Sequence, residues 1–334
     1  MRPHTVILGA GATIAAIPDG DRNGKKSSVM NGLIEKLQLD DILDGIQLET
    51  TSDNLEDIYS ELYAREDCND ITRELEKRLY NYFDSLEIPT YPTVYDFLIL
   101  SLTNNDVIAT FNWDPLLFQA YVRCRRITDN LPHMLSLHGN VAVGYCTTHK
   151  EFGMKDAECP VCGEILRPIK LLYPVENKNY TENWYIKGCW DAIDIMIRNS
   201  YMLTIFGYSA PSSDKAAVKL LKSAWGELDD RQLEEVSIID IVPKDEIIEK
   251  WKDFIYSHHY RYSNSFFNSY LGMFPRRSCE MLFSTVQCNL SPDCNKGFKQ
   301  EMNWNEIKKF MTELLIEERQ TPVDRNYPPH YVRK

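Results

Sequence analysis

The chain of 334 residues carries 43% hydrophobic residues, which is enough for one large domain or two smaller ones with a buried core. Its formal net charge of −12 argues against nucleic acid as a general partner, and no apolar run reaches the roughly 20 residues of a membrane span. The amino terminus lacks the features of a signal peptide, and the cysteines outside the motif described below show no disulfide framework, so we expect a cytoplasmic protein.

The first predicted element is a short buried strand at residues 5–8 that ends in a glycine turn. Gly9, Ala10, Gly11 and Thr13 lie in this turn, and a helix is predicted to follow it. A strand, a glycine turn and a helix N-terminus can hold a pyrophosphate, because the glycines allow close approach of the backbone and free N–H groups face the anion. The turn lacks the third glycine of the full dinucleotide motif, and such turns also occur without any ligand.

Residues 24–105 are predicted to be mostly helical and to form an insertion between the first strand and the next. Leucine, isoleucine and tyrosine recur there at helical spacing, which is typical of helices packed on a core. Asn54 or Asp53 is the predicted cap of one helix, with acidic residues in its first turn. Prolines separate the helical segment at 71–86 from the one at 94–102.

The next buried strand is predicted at 107–110, and Asn112 and Asp114 follow its end. Open α/β sheets bind ligands at the carboxyl ends of their parallel strands, where these polar side chains would lie. The alternative is an ordinary turn followed by a helix that a proline begins. A strand at 134–137 leads in the same way to His138, whose imidazole can accept a proton near neutral pH, although a lone histidine at a strand end is more often structural.

Residues 144–168 contain two pairs of metal-ligand residues, Cys146 with His149 and Cys159 with Cys162. Two residues separate the members of each pair, so one tight turn can present both ligands to a single ion. Four protein ligands leave no open position, which predicts a structural zinc ribbon and not a catalytic metal. The alternative is a set of ordinary cysteines and a histidine without a metal.

Further strands are predicted at 169–173, 201–206 and 236–242, with a helix at 184–197. The second of these strands runs into another glycine turn, which contains Gly207 and Ser209, and Asp214 follows at the start of a helix. Asp214 has a plain role as the N-cap of that helix. Asp240 lies in the last predicted core strand, where it either accepts hydrogen bonds from ribose hydroxyls or faces water.

Residues 245–334 are predicted to form a C-terminal extension beyond a core domain at 1–244. The stretch 254–274 is rich in aromatic, serine and asparagine residues, which suits a protein contact, although packing onto the main domain is the ordinary outcome. An amphipathic helix is predicted at 306–318, and the tail from Gln320 is expected to be extended or docked on a partner. We therefore expect a homo-oligomer or a regulatory partner protein.

Four motifs together resemble those of the sirtuin superfamily. The pair that begins with His138 precedes the first zinc cysteine by eight residues, as in the family. The segment 159–168 (CPVCGEILRP) matches the family's second zinc pair, and His149 replaces a family cysteine in the first pair. The turn at 9–13 is similar to the family's G-A-G-x-S, and the segment 110–114 (TFNWD) is similar to its T-Q-N-I-D.

The resemblance implies an α/β fold with a Rossmann-like, mostly parallel sheet, a helical insertion at 24–105 and a small structural zinc ribbon. It implies NAD as the ligand, and cleavage of the bond between nicotinamide and ribose as the first step. The catalytic residues would be His138, Asn112 and Asp114. The NAD-binding residues would be Gly9, Ala10, Gly11, Thr13, Arg22, Gly207, Ser209 and Asp240.

Departures from the family pattern bear on the reaction. Gly20 and Asp21 stand where the family has a phenylalanine that covers the reacting sugar, and Phe111 replaces a glutamine. Pro174 lies in the segment 173–176, which stands where sirtuin deacylases have the F-G-E that pairs with the acyl-lysine peptide, and proline resists strand pairing. The expected reaction is therefore NAD hydrolysis, with water as the acceptor.

The turn at Gly207, which reads G-Y-S-x-P-x-x-D, resembles that of divergent bacterial sirtuin-like proteins more closely than the G-T-S of other sirtuins. This resemblance implies an effector that depletes NAD during phage infection, gated by a partner or a nucleotide signal. The alternatives are an NAD-dependent protein-lysine deacylase, which the zinc ribbon favours, and a non-catalytic NAD or nucleotide sensor.

Overall fold

The computed structural model describes residues 2–27, 32–37, 39–174, 179–289, 291 and 293–320. In chain order its strands are β1 (His4–Leu8), β2 (Val107–Thr110), β3 (His133–Ser136), β4 (Val143–Tyr145), β5 (Phe152–Met154), β6 (Arg167–Pro168), β7 (Met202–Phe206), β8 (Glu235–Ile239) and β9 (Tyr260–Ser263). The central sheet is parallel, with strand order β3-β2-β1-β7-β8-β9. A small antiparallel sheet has the order β5-β4-β6.

Helices lie between the strands of the central sheet along the chain, and further helices follow the last strand. They are α1 (Ala10–Ala16), α2 (Leu33–Lys36), α3 (Asp40–Leu43), α4 (Leu55–Tyr63), α5 (Asn69–Asp84), α6 (Val94–Leu100), α7 (Leu116–Cys124), α8 (Trp184–Asn199), α9 (Lys215–Trp225), α10 (Lys244–Trp251), α11 (Tyr270–Met273), α12 (Ser278–Gln287) and α13 (Trp304–Arg319). The predicted α/β class with a mostly parallel sheet and a helical insertion is thereby confirmed.

Helices cover both faces of the central sheet, and this explains why its strands are apolar throughout. Side chains alternate along β1, so that Val6 and Leu8 join one buried cluster with the insertion and α12, while Ile7 joins another with α8 and α9. Every residue of β1 is buried. The sheet is therefore the centre of the core, and its carboxyl edge is left for loops.

The helical insertion follows the predicted pattern closely. The Asn54 side chain accepts a hydrogen bond from the Glu56 backbone N–H at 2.9 Å and caps α4 as expected. Thr93 and Asp96 form a reciprocal capping box at the start of α6. The start of the insertion is less regular than the rest, since α2 covers only four residues, and positions 31 and 38 lie outside the described residues.

Two predictions about the later strands are wrong. Residues 169–173 form no strand; they run as an irregular segment in which the Leu172 N–H donates to the His138 carbonyl at 2.9 Å. Strand β8 ends three residues before the predicted limit, and it is not the last strand, because β9 pairs with it beyond residue 244. Apolar sequence alone did not distinguish a strand from a buried loop here.

The C-terminal region packs against the rest of the molecule. The side chain of Arg276, which is 1% exposed, forms an ion pair with Glu318 and donates to the Leu102 carbonyl at 2.8 Å. The amphipathic helix predicted at 306–318 is present as α13. Positions 321–334 of the predicted tail lie outside the described residues, and the division at residue 244 stays a prediction. Among the described helices, none has the length and apolar character needed to cross a membrane.

Candidate functional site

A cavity of about 740 Å³ opens at the carboxyl edge of the central sheet. The ends of β1, β2, β7 and β8 contribute to it, together with the start of α4 and the loop after β9. It is lined by, among others, Gly9, Ala10, Gly11, Asn54, Glu56, Phe111, Asn112, His138, Pro174, Gly207, Tyr208, Ser209, Asp214, Asp240, Ile241 and Asn264. A ligand site at this edge is what an open parallel sheet favours.

The two predicted glycine turns touch each other at the cavity wall. The Gly11 N–H donates to the Gly207 carbonyl at 2.9 Å, and the Gly9 N–H donates to the Phe206 carbonyl at 3.1 Å. A Cβ atom at Gly207, whose φ is +59°, would lie 2.3 Å from the Ala12 nitrogen. Gly207 is thus needed for the contact between the turns, and the same contact brings both turns to one cavity.

His138 lies just beyond β3 and is 5% exposed. Its ring contacts the edge of Phe111, with a centroid distance of 4.7 Å, and stacks at 6.1 Å on Tyr180. Its Nε2 atom lies 3.7 Å from Oδ1 of Asp214, which is an ion-pair distance once the imidazole is protonated. The histidine therefore combines burial, a place on the cavity wall and a carboxylate neighbour.

Asp214 does not have the N-cap role that the sequence suggested. It occupies the position before α9, but its side chain makes no capping hydrogen bond. Instead, Oδ2 accepts a hydrogen bond from the Tyr208 hydroxyl at 2.9 Å. Burial, followed by the neighbouring Asp214 charge, raises the pKa of Tyr208 well above its usual value, so Tyr208 is a neutral donor.

Asn112 lines the cavity and joins β2 to the first glycine turn. Its side-chain amide donates to the Gly9 carbonyl at 2.8 Å and to Oγ1 of Thr13 at 3.0 Å. These bonds fix the carboxamide and the turn relative to each other. Asn112 thus lies beside the glycine turn and lines the same cavity as His138.

Asp114 and Thr13 lie behind the cavity wall and are not among its lining residues. Oδ2 of Asp114 accepts a hydrogen bond from the Thr13 hydroxyl at 2.7 Å, and Oδ1 accepts one from the Leu116 N–H at 3.1 Å. Burial raises the pKa of Asp114. The Tyr95 hydroxyl lies 2.7 Å from the Thr13 hydroxyl. Thr13 and Asp114 therefore help to hold the Asn112 side chain in place, and neither of them reaches the cavity.

Arg22 lies apart from the other predicted binding residues. Its side chain is 60% exposed and pairs at 3.7 Å with Glu87, and it does not line the cavity. Asp21, by contrast, is buried and accepts hydrogen bonds from the Asn23, Lys25 and Glu87 backbone N–H groups. This loop is thus folded around a carboxylate where the family pattern has an aromatic residue.

Ser209 and Asp240 both line the cavity, at the ends of β7 and β8. Oδ1 of Asp240 accepts a hydrogen bond from the Val242 N–H at 2.9 Å, which holds the carboxylate at the rim. Next to it, Ile241 is 88% exposed, an unusual position for an isoleucine. An apolar side chain and a fixed carboxylate therefore lie side by side at one end of the cavity.

The predicted metal ligands come together in the small antiparallel sheet. The ligand atoms of Cys146, His149, Cys159 and Cys162 all lie within 4.8 Å of one another. The Cys146 and Cys162 sulfurs are 3.9 Å apart, and Nδ1 of His149 is 3.6 Å from the Cys146 sulfur. A tetrahedral zinc with Zn–S bonds of about 2.3 Å needs sulfurs about 3.8 Å apart, so the cluster fits this ion. None of the four lines the cavity, which suits a structural role.

Sequence reasoning missed several lining residues. Asn54 and Glu56 come from α4 of the insertion, and the Ser213 hydroxyl donates to Glu56 at 2.8 Å. Tyr208 stacks on Phe111 with a centroid distance of 4.3 Å. The G-Y-S-x-P-x-x-D motif contained the signal for Tyr208, but no local pattern indicates that α4 reaches this cavity.

No protein-family profile matches the chain, and no curated protein matches it. It is similar to solved structures of Sir2 homologues. One, a Sir2 homologue mutant with ADP-ribose, has a TM-score of 0.41 and 12% identity, over 94% of this chain and 94% of that chain. A second mutant complex with ADP-ribose has a TM-score of 0.37 and 13% identity, over 94% of each chain. A Sir2 homolog–NAD complex has a TM-score of 0.37 and 14% identity, over 87% of this chain and 91% of that chain. These similarities concern the fold and do not identify the reaction that this chain catalyses.

Proposed function

We propose that this protein is an NAD hydrolase, which cleaves NAD to nicotinamide and ADP-ribose with water as the acceptor. The observation that carries the proposal is the position of His138. Its buried imidazole lies on the wall of a cavity that the two glycine turns and Asn112 also line. A titratable base, a carboxamide and backbone turns in one cavity are what this reaction requires.

The charges around the cavity suit the bond that breaks. Among the described residues that line it, Glu56, Asp214 and Asp240 are acidic and none is lysine or arginine. Nicotinamide is a good leaving group, and the ribose carbon becomes positively charged as it departs. Fixed carboxylates and an oriented carboxamide stabilise such a charge, while His138 accepts the proton that is released.

The cavity also has the size and the groups for the rest of the dinucleotide. A volume of about 740 Å³ is within the usual range for a small-molecule site. The glycine turns bring backbone groups to the position proposed for the diphosphate. Asp240 and Ser209 at the other strand ends are proposed to accept from and donate to a ribose.

The segment that follows the four metal ligands and contains Tyr173 and Pro174 favours water over an acyl-lysine peptide as the acceptor of the ADP-ribose group. The Pro174 carbonyl accepts a hydrogen bond from the Ser60 hydroxyl of α4 at 2.8 Å. The Tyr173 hydroxyl donates to the Glu76 carbonyl of α5 at 3.1 Å. The insertion therefore contacts Tyr173 and Pro174, the first two residues of the segment that stands where sirtuin deacylases pair with the substrate peptide. The described residues 169–174 form no strand, and positions 175 and 176 lie outside the described residues.

The biological role follows from the resemblance of the Gly207 turn to bacterial sirtuin-like proteins. We propose an NAD-depleting effector of the anti-phage type that acts in the cytoplasm. Such an activity must be kept off until it is needed, because it would otherwise deplete the cell's own NAD. A homo-oligomer or a regulatory partner would provide this control. The insertion helix α4 supports this idea because its Asn54 and Glu56 side chains lie at the cavity.

One assay separates the candidate functions. Purified protein is incubated with NAD alone and with NAD plus an acetyl-lysine peptide, and the products are separated by chromatography. Nicotinamide and ADP-ribose without peptide are expected. Product that requires the peptide and includes O-acetyl-ADP-ribose would contradict hydrolysis and identify a deacylase. NAD binding by calorimetry without turnover in either mixture would identify a sensor.

A further inference from the structure

Four side chains in the cavity contact one another in a closed ring. Asp214 faces His138 at 3.7 Å, and its other oxygen accepts from the Tyr208 hydroxyl at 2.9 Å. Tyr208 stacks on Phe111, with ring planes 13° apart, and Phe111 meets the His138 ring edge-on at an interplanar angle of 76°. Each of the four side chains therefore contacts two others, and the imidazole of His138 lies between Asp214 and Phe111.

We infer that Asp214 is a positioning residue for His138: its carboxylate orients the imidazole and stabilises the proton that His138 accepts. The inference rests on the proposed hydrolase function. In that reaction the C–N bond breaks with its electron pair on nicotinamide, the attacking water forms the new C–O bond, and His138 takes the proton that the water releases. The resulting imidazolium faces the Asp214 carboxylate.

Burial increases the electrostatic interaction between the Asp214 carboxylate and a protonated His138. Asp214 is 4% exposed and His138 is 5% exposed, so little water screens the two groups from each other. A carboxylate near a histidine favours the charged imidazole, whereas burial alone disfavours it. His4 illustrates burial without a carboxylate at its ring: its nitrogens lie 2.7 Å from the Ser278 and Thr204 hydroxyls, and burial lowers its pKa to about 3.

Among the described residues that line the cavity or stack on His138, the other titratable groups are neutral or acidic. Burial raises the pKa of Tyr180, whose ring stacks on the imidazole, and it raises the pKa of Tyr208, so both are neutral near pH 7. Glu56 adds negative charge near Tyr208. Of these groups, the Asp214 carboxylate is the one at ion-pair distance from Nε2 of His138.

The test is a titration of His138 by NMR on histidine-labelled protein, with the His138 signal assigned from its loss in a His138→Gln variant. In Asp214→Asn the midpoint of this titration is expected to move about 1 pH unit or more toward acid. The kcat for NAD is expected to fall about tenfold at pH 7, while KM changes less than threefold. Asp214→Glu should restore the midpoint and part of kcat.

Two control variants separate charge from packing. Asp240→Asn removes a carboxylate that lines the same cavity but is not paired with His138, so KM should change and the midpoint should not. Tyr208→Phe keeps the ring and removes the hydroxyl on Asp214, so kcat should fall while the midpoint stays within about 0.5 pH unit of wild type.

An unchanged His138 midpoint in folded Asp214→Asn would overturn the inference. If that variant does not fold, the wild-type titration decides, because a His138 that stays neutral down to pH 5, as expected of His4, would also overturn it. A shifted midpoint in a protein that releases no nicotinamide would keep the pair and remove the hydrolase function, so the two failures are distinguishable.

Discussion

His4 and His138 lie at opposite edges of the central sheet, and both are almost fully buried, with 1% and 5% of their surface exposed. His4 begins β1, and both ring nitrogens lie at hydrogen-bond distance from hydroxyl groups in a closed core. His138 follows β3, lines a large cavity and faces a carboxylate. A buried histidine thus has two quite different surroundings within one sheet.

The two histidines differ in the groups that contact their rings and in their access to the cavity. They do not differ in burial. Hydroxyl partners can hydrogen-bond a neutral imidazole but carry no negative charge that would offset the cost of a buried imidazolium. The low pKa that burial gives His4 therefore suits a structural residue. A carboxylate and a cavity allow an imidazole to gain and lose a proton beside a ligand. The surroundings of His4, at the amino ends of the strands, thus suit a structural residue, and those of His138, at the carboxyl ends, suit the proposed chemistry.

The largest effect should come from removing the His138 ring. His138→Ala is expected to reduce nicotinamide release about 10³-fold, because the base is lost, while the thermal midpoint changes little. Asn112→Ala should also abolish turnover and leave the fold intact. The matched control is His133→Ala, at an exposed histidine at the start of β3, which should stay within twofold of wild type. Equal activity in His138→Ala would remove the catalytic assignment.

The predicted zinc site of Cys146, His149, Cys159 and Cys162 should have a structural role, like the core around His4. Cys159→Ser is expected to lose bound zinc and to lower the thermal midpoint by about 5 to 10 °C, since three ligands hold the ion poorly. Metal content by mass spectrometry and a melting curve measure both effects. Cys288→Ser, at an exposed cysteine outside the cluster, is the control and should change neither.

The contact between the glycine turns can be broken by one methyl group. Gly207→Ala is expected to destabilise the fold by about 2 to 3 kcal/mol, because its φ is +59° and the Cβ would lie 2.3 Å from a backbone nitrogen. Urea unfolding gives the free energy. Gly188→Ala, in α8 with no atom within 4 Å of the added Cβ, should be neutral or stabilising. A similar loss in both would argue against the turn contact as the cause.

The smallest expected effect is the contribution of His4 to the pH dependence of the unfolding free energy. The native pKa of His4 is about 3 and the unfolded value is about 6.5, so below pH 6.5 the unfolded chain binds a proton that the native protein does not. Stability is therefore lost as the pH falls, by about 2 kcal/mol between pH 6.5 and pH 5.

Unfolding free energies at pH 7 and pH 5 measure this loss, and His4→Gln should reduce it by that amount. Comparing the two proteins cancels the contributions of the other titratable groups. An identical pH dependence in the variant would show that His4 is not held neutral.

Much of this protein was determined by the sequence itself. The strands β1, β2 and β7 were predictable because a sheet covered on both faces requires continuous apolar runs. The metal ligands were predictable because each pair lies within one turn, so that local spacing fixes the geometry. The capping role of Asn54 is local in the same sense.

Tertiary structure alone decided the site's finer arrangement. Asp114 follows β2 as predicted but lies behind the wall, and Arg22 lies at the surface, because side-chain depth depends on what packs against each loop. The pairing of Asp214 with His138 joins residues that are distant in the chain, and the same holds for Ser60 and Pro174. Residue periodicity reports only which face of an element is buried, so contacts between elements are decided by packing.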